Sequence, residues 1–417
     1  MAASLTEQLA DRIAAPVDAA IRARARLHLL DWLGCVAGAR RSPLAAKLRG
    51  MPALEAAALL GNVLEMDDVH RAALLHPGPV VWPAALMAAQ ACGATFAEVL
   101  DAGVRGYEAA IAVGVTFDAR HYGFHHNTAT AGVFGSTAAS WSVWGDYTGV
   151  LVDALGHAGS ISAGLWAMRH ETCDTKQFHI LHAVESGERA RRLAAAGLAG
   201  PRHILEGPQG LYATTCDAPQ PARLLEAADW RMAEVSFKPW AACRHAHAAI
   251  DAALGLYGSG ALQHGPIIVK TYRDALTFCN RPAPRTPAEA RFSIQHAVAV
   301  VAVRGAPTPA DFEADALADP ALVLARARVV LVEDRAASSR YPGHFGAAVK
   351  AGGAHVALVD TRGDPERPLG AAGVEAKART LAAWGGIDPD ELVALAMTTP
   401  DDTEIACFKV LATWLET

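Results

Sequence analysis

From Leu9 to about residue 255, apolar residues recur at helical spacing and runs alternating with period two are almost absent. Leu9, Ile13, Val17, Ile21, Ala25, Leu29 and Leu33 begin the pattern at intervals of four. "PVVWPAALMAAQACG" predicts a buried helix with Pro83 in its first turn, and "TFAEVLDAGVRGYEAAIAVGV" and "TAGVFGSTAASWSVWG" continue in the same style. Stripes of this period must be covered by other helices, and the many Gly and Ala residues allow close approach. The texture then changes. "GPIIVKTY" (265–272) and "ARVVLVED" (327–334) read as strands, and "AAVKAGGAHVALVD" (347–360) as a hairpin around Gly352-Gly353. Helical spacing returns in "GVEAKARTLAAW" and "IACFKVLATWLE". The expected fold is mainly α: a large all-helical domain formed by both chain ends, 1–255 and 373–417, with a smaller inserted α/β lid domain at 256–372.

Composition narrows the function. Hydrophobic residues make up 52% of the 417 and charged residues 19%, enough to bury a core. A net charge of −6 argues against a nucleic-acid partner. The longest apolar run, 80–94, contains Pro83 and Gln90 and is shorter than the roughly 20 residues of a membrane span. Seven scattered cysteines without a C-x-x-C, and a start "MAASLTEQLADRIAA" without an apolar signal core, point to reduced thiols and a cytoplasmic protein. No phosphate-binding Gly-rich motif supports a nucleotide cofactor. "SISAG" departs from the nucleophile elbow and follows no strand.

Charge concentrates in "LEMDDVHRAALLHPG" (64–78), between flanks that look buried. A helix running through residue 69 places Asn62, Glu65 and Asp68 on one face, and the His76-Pro77-Gly78 turn aims an imidazole. Asp67, Asp68, His70 and His76 suggest a metal, but H-E-x-x-H is absent and adjacent acids face different ways on a helix. Four further clusters follow: "HYGFHHNTATAG" with His126, "RHETCDTKQFH" with Lys176, "SFKPWAACRHAH" with Lys238 and Arg244, and "ARFSIQHAVAVVAV" with His296. Each alone reads most simply as a bonded core histidine or a solvated lysine. Together they offer cations for an anionic substrate and imidazoles able to exchange protons near neutral pH, which suits proton abstraction beside a carboxylate.

These motifs resemble those of the MmgE/PrpD family, which includes 2-methylcitrate dehydratase, cis-aconitate decarboxylase and iminodisuccinate epimerase. The N-x-x-x-x-D-D-x-H…HP stretch spans Asn62 to Pro77. "GFHHNTATAGVFG" aligns His126 with the family's active-site histidine, "TKQFH" aligns Lys176, "FKPWAACRHAHAAIDAAL" aligns Lys238, and "ARFSIQHAVA" brings in His296. Glu65 stands where many members have Asp, and His296 where decarboxylase-like members have Tyr. The resemblance implies a helical domain built from both chain ends, a smaller α/β lid, a homodimer and no cofactor. The expected activity is a cofactor-independent, dehydratase-like lyase acting on a small di- or tricarboxylate. His76, His126, Glu65 and Asp68 are the expected catalytic residues. Asn62, Lys176, Lys238, Arg244 and His296 are the expected substrate-binding ones, and no metal is expected. An isomerase or epimerase using the same groups is the alternative. A metal-dependent hydrolase or a non-catalytic metabolite binder stands behind it.

Overall fold

The structure, a computed structural model, describes residues 3–171, 173–405 and 413–414. About 59% of the chain is helical and the sheet has four strands, so the protein is mainly α with a smaller α/β part. The helical spacing expected over 405–416 lies almost entirely outside the described residues. No helix among them is long and apolar enough to cross a membrane.

The chain divides into two compact units. The first comprises Met1–Val63, Asp67–Val235 and Val374–Thr417. Helix α1 (Leu5–Ile13) starts at Ser4, whose side chain forms a capping box with Glu7. Helix α2 (Ala19–Ala39) starts at Asp18, whose carboxylate accepts from the N–H groups of Ala20 and Ile21. Helices α3 (Ala53–Leu60), α4 (Gly78–Cys92), α5 (Phe96–Gly114), α6 (Gly132–Trp144), α7 (Thr148–Ser160) and α8 (Thr175–Ala195) follow. Pro83 falls in the second turn of α4, because that helix begins at Gly78, ahead of Pro79. The small residues act where α5 crosses α6. A Cβ on Gly106 would stand 2.9 Å from the Gly135 carbonyl oxygen, and a Cβ on Gly135 would stand 2.9 Å from that of Gly106. Backbone therefore meets backbone at this crossing, and any side chain there would force the helices apart.

The second unit comprises Leu64–Met66 and Ser236–Gly373. Strands β1 (Ile267–Thr271), β2 (Val329–Glu333), β3 (Ala347–Ala351) and β4 (Ala354–Leu358) form one sheet in the order β2-β1-β3-β4. β1 and β2 are parallel, while β3 runs antiparallel to both β1 and β4. Gly352 and Gly353, with φ of 53° and 82°, make the β3–β4 turn, which needs two left-handed residues that only Gly adopts without cost. Helix α9 (Arg244–Leu254) packs on β3 and β4 and on α10 (Ile294–Arg304). Its contacts with the sheet place the start of this unit at Ser236, ahead of the 256 that helical periodicity suggests. Periodicity shows that a helix has a buried face but not which layer covers it.

Candidate active site

The helix expected to run through residue 69 is not formed. Helix α3 ends at Leu60, and residues 61–77 are turns and loop. Glu65 (φ 55°) and Leu74 (φ 52°) occupy the left-handed region, at a cost of about 1–2 kcal/mol for a residue with a Cβ. His70 N–H donates to Leu75 O (2.9 Å), and Ala73 N–H donates to the His70 ring at Nδ1 (3.1 Å), closing a tight turn. The other ring nitrogen of His70 binds Glu234 at 2.9 Å. Asn62, Glu65 and Asp68 therefore share no helix face.

The turn instead brings Asn62, Asp67 and His76 together. Asn62 Nδ2 donates to Asp67 Oδ2 at 2.5 Å, and His76 Nδ1 lies 2.9 Å from that same oxygen and 3.0 Å from Asp68 O. Both neighbours of Nδ1 are acceptors, so a proton resides on Nδ1, and in the neutral ring the lone pair is on Nε2. His76 N–H donates to Thr128 Oγ1 at 3.1 Å, which fixes the backbone behind the ring. Asp67 is 1% exposed on its side chain, whereas His76 keeps 17%.

Asp68 has a different environment from its neighbour. Its Oδ2 accepts from Tyr107 Oη (2.6 Å) and His28 Nδ1 (2.7 Å), and its Oδ1 accepts from Gly78 N–H (3.1 Å). Trp82 Nε1 donates to Tyr107 Oη at 3.1 Å. Only the Asp68 backbone oxygen reaches His76, so the carboxylate that orients the imidazole is that of Asp67. Burial pushes the Asp68 carboxyl up to about 6, with the Tyr107 hydrogen bond opposing. Burial also holds His28 well below the usual histidine range, and the Arg24 charge adds to the effect. Behind this group, Lys377 Nζ donates to Asp31 Oδ1 at 2.6 Å, with both side chains buried. Burial pushes Asp31 up to about 7 despite Lys377, and the charges of Asp68 and Asp67 push the same way.

The segment 125–132 supplies a second imidazole to the same unit. His126, 2% exposed, has its Nδ1 3.4 Å from His179 Nδ1, and its backbone N–H donates to Gly164 O at 2.9 Å. Its ring lies 4.7 Å from that of Trp166, over which Arg169 stacks at 3.7 Å. Burial drives His126 well below the usual range, and the charges of Lys176, His179, His76 and Arg169 push it further. It is therefore neutral at physiological pH. Lys176 is half-buried in the first turn of α8, three residues before His179, so both face the same side of that helix.

In the α/β unit, Lys238 is fully buried with Glu65 Oε2 3.8 Å from its Nζ. Arg244 pairs with Asp364 and also contacts His247 Nδ1 (3.3 Å) and Arg362 O (3.2 Å). Asp364 further accepts from Ser236 Oγ at 2.7 Å. His296 is fully buried: Nε2 donates to Asp311 O (2.7 Å), and Arg326 donates to Nδ1 (3.2 Å). Of the expected site residues, Asn62 and His76 are in direct contact through Asp67, His76, His126 and Lys176 interact electrostatically, and Glu65 is beside Lys238. Arg244 and His296 are held in networks of their own, and the Asp68 carboxylate is turned toward His28 and Tyr107. The sequence reading did not assign roles to Asp67, His28, Tyr107 or His179. The i,i+3 spacing of Lys176 and His179 carried a signal, whereas His28 and Tyr107 arrive from helices 40 and 39 residues away from Asp68 with none.

Asp67, Asp68, His70 and His76 do not converge on a common point, since Asp68 and His70 have partners elsewhere. Among the described residues, the group with cation-binding spacing is His344, Asp360 and Glu366 in the α/β unit. There His344 Nδ1 and Asp360 Oδ1 are 2.7 Å apart, the geometry of an ordinary half-exposed ion pair.

Comparison with curated proteins gave no match. Residues 51–224 match the MmgE/PrpD N-terminal domain and residues 240–395 the MmgE/PrpD C-terminal domain. The first match contains the Asp67–His76 dyad, His126 and Lys176, and the second contains Arg244 and His296. With both domains present in order over 51–395, the chain belongs to the MmgE/PrpD family.

Proposed function

We propose that the protein is a cofactor-independent, dehydratase-like lyase that removes a proton next to a carboxylate of a small di- or tricarboxylate. Membership of a family of enzymes supports an enzyme of dehydratase or lyase type. The observation that carries the mechanism is the Asp67–His76 dyad. A buried carboxylate fixes the Nδ1–H tautomer and leaves Nε2 of the partly exposed ring able to accept a proton. Asp67 also stabilises the imidazolium that forms. Neutral His126 is the proposed hydrogen-bond donor that steadies the departing hydroxyl, which leaves as water with the proton that His76 has taken. Lys176 is the proposed ligand of a substrate carboxylate, and the substrate-binding role expected of buried Lys238 is kept as a proposal. Glu65 balances Lys238. Asp68 is proposed as a positioning residue that holds the start of α4 through Gly78 and His76 through its carbonyl.

A second reading is supported by the presence of two imidazoles. If a proton returns to the opposite face of the carbanion while His126 hydrogen-bonds the substrate, no group leaves and the enzyme is an isomerase or epimerase. Incubation with citrate, methylcitrate, aconitate, malate and aminodicarboxylates in deuterated buffer, followed by NMR, separates the readings. A lyase gives the unsaturated product, while an epimerase gives deuterated isomer without elimination. No deuterium incorporation and no product across the panel would refute proton abstraction on these substrates.

A further inference from the structure

Tyr107 brings a hydroxyl into the interior from α5, and the proposed reaction gives it no task. The residue is fully buried, and its Oη donates to Asp68 Oδ2 at 2.6 Å. Trp82 Nε1–H donates to the same hydroxyl oxygen at 3.1 Å, so the Tyr107 proton is directed at Asp68. Burial pushes this hydroxyl well above the usual phenol range, and the Asp68 charge adds to the effect, so it stays a donor at physiological pH. The ring of Trp82 is seated on the helix that carries Tyr107: a Cβ on Gly103 would stand 2.3 Å from its Cη2. The Trp82 and Tyr107 rings are 5.8 Å apart, and His28 meets Tyr107 edge-on at 5.2 Å.

Asp68 passes this hold to the loop, because all three of its oxygens are engaged. Oδ2 takes Tyr107 and His28, Oδ1 takes the Gly78 N–H, and the backbone oxygen lies 3.0 Å from His76 Nδ1. One residue therefore grips the chain on both sides of Pro77. The start of α4 has no slack here. A Cβ on Gly78 would stand 2.8 Å from Asp68 Oδ1 and 3.0 Å from Tyr107 Oη, so only glycine fits against the pair.

We propose that Tyr107 is a positioning residue for the proton abstraction: its hydroxyl locks the Asp68 carboxylate, and through Asp68 it fixes the angle at which His76 presents Nε2. The inference rests on the reading of His76 as the base. Without the hydroxyl, Asp68 Oδ2 keeps His28 but loses its shortest bond, and the carboxylate is able to turn. The Gly78 N–H and the Asp68 carbonyl then shift with it. The His76 ring retains Asp67 and loses the second acceptor that holds its plane. Transfer of a proton is steep in such geometry, because the reacting atoms must meet within hydrogen-bond reach.

The test is Tyr107→Phe, which deletes one oxygen and keeps the ring. With the substrate found by the deuterium panel, kcat should fall by about tenfold or more while KM stays within about twofold, since a misplacement of about 1 Å can cost up to about 10²-fold. Nitrogen NMR on protein carrying labelled histidine gives a readout that needs no substrate, with the His76 signals assigned by their absence in His76→Asn. In the wild type they should show a protonated Nδ1 and a bare Nε2. In Tyr107→Phe they should move toward the average of the two tautomers. Tyr107→Phe combined with Asp68→Asn should be no slower than Asp68→Asn alone, because the two act along one path. Unchanged kcat and unchanged His76 signals in folded Tyr107→Phe overturn the proposal. So does a lowered Tm with unchanged His76 signals, the mark of a purely structural role, and so does a double variant whose loss is the product of the single ones. Should Tyr107→Phe fail to fold, Trp82→Phe keeps the hydroxyl and removes the N–H that orients it. The same movement of the His76 signals is expected there at smaller size, and its absence overturns the proposal. Failure of the underlying reading looks different: a wild-type His76 with its proton on Nε2, or full activity in His76→Asn, removes the base itself whatever Tyr107→Phe does.

Discussion

His76 and His296 both stand in apolar sequence, and both resemble functional histidines when read alone. His296 lies on α10 among valines and alanines, fully buried, with Nε2 on the Asp311 carbonyl and Nδ1 beside Arg326. His76 stands at the end of a turn, partly exposed, with only Nδ1 held inward by Asp67 and the Asp68 carbonyl. An imidazole with both nitrogens engaged in a closed shell acts as a structural bracket. One with a single nitrogen fixed and its edge toward solvent retains the capacity to exchange a proton. The same contrast separates Arg244, paired with Asp364, from Lys176, half-buried in the first turn of α8. Burial and residue type are therefore poor guides to function compared with the hydrogen-bonding capacity that remains.

The largest effect tests the open member of the pair. His76→Asn should lower kcat by about 10²–10⁴, the usual contribution of a general acid or base, with little change in Tm. Asp67→Asn should fall in the same direction, because an amide can donate to Nδ1 and so favour the opposite tautomer. Near-normal kcat in both variants would remove the dyad from the mechanism.

The next effect concerns the buried charges behind the dyad. Lys377→Met leaves Asp31 without its cation and should destabilise the fold by about 3–5 kcal/mol. The cost should depend on pH, with a definite sign. Asp31 in the folded chain is already raised from an ordinary 3.8 to about 7, and losing Lys377 raises it further. The native state then binds a proton that the unfolded chain has released, so stability is highest near pH 4 and falls as pH rises through 7. Urea melts at pH 5.5 and 8 should show the larger loss at pH 8. An equal loss at both values would mean that Asp31 stays ionised in the native state.

How much of this was legible in advance follows from the range of the interactions. Strand runs and the Gly352-Gly353 turn were readable because short β-branched runs and turn-forming glycine pairs are local properties. The motifs around His76, His126 and Lys176 were readable as candidates for the same reason. The shape of 61–77 was not, because Glu65 and Leu74 adopt left-handed angles that local propensity disfavours and only surrounding contacts can impose. Nor was the identity of the orienting carboxylate. Asp67 and Asp68 are adjacent, and which of them meets His76 is decided by His28 and Tyr107, which come from α2 and α5 and claim Asp68.

Lys176→Met gives the third effect. Loss of a charge-assisted hydrogen bond to a carboxylate should weaken substrate binding by roughly ten- to a hundredfold, corresponding to about 1.5–3 kcal/mol. The same change should raise the proton affinity of His126, since the Lys176 charge is the largest electrostatic influence lowering it. NMR titration of the His126 ring reads this second consequence without substrate. A titration that does not move would separate Lys176 from His126 in solution.

The smallest kinetic effect belongs to the closed member of the comparison. In His296→Leu the replacement is apolar, so the Asp311 carbonyl and one Arg326 N–H lose their partner in a buried setting. Leaving such groups unsatisfied costs about 1–3 kcal/mol each. Part of the Arg326 loss should be recovered, because its side chain sits nearer the surface than the histidine and can turn toward water. Stability should therefore fall by about 1–3 kcal/mol in urea melts, while kcat and KM at temperatures well below the melt stay within about twofold. The paired measurement is decisive because the two histidines predict opposite patterns: His76→Asn changes kcat with little change in Tm, and His296→Leu changes Tm with little change in kcat. If His296→Leu instead lowered kcat by about a hundredfold with its melt unchanged, the closed shell around that ring would not be its working state. His296 would then belong with His76 among the groups that meet the substrate, as the family resemblance implies.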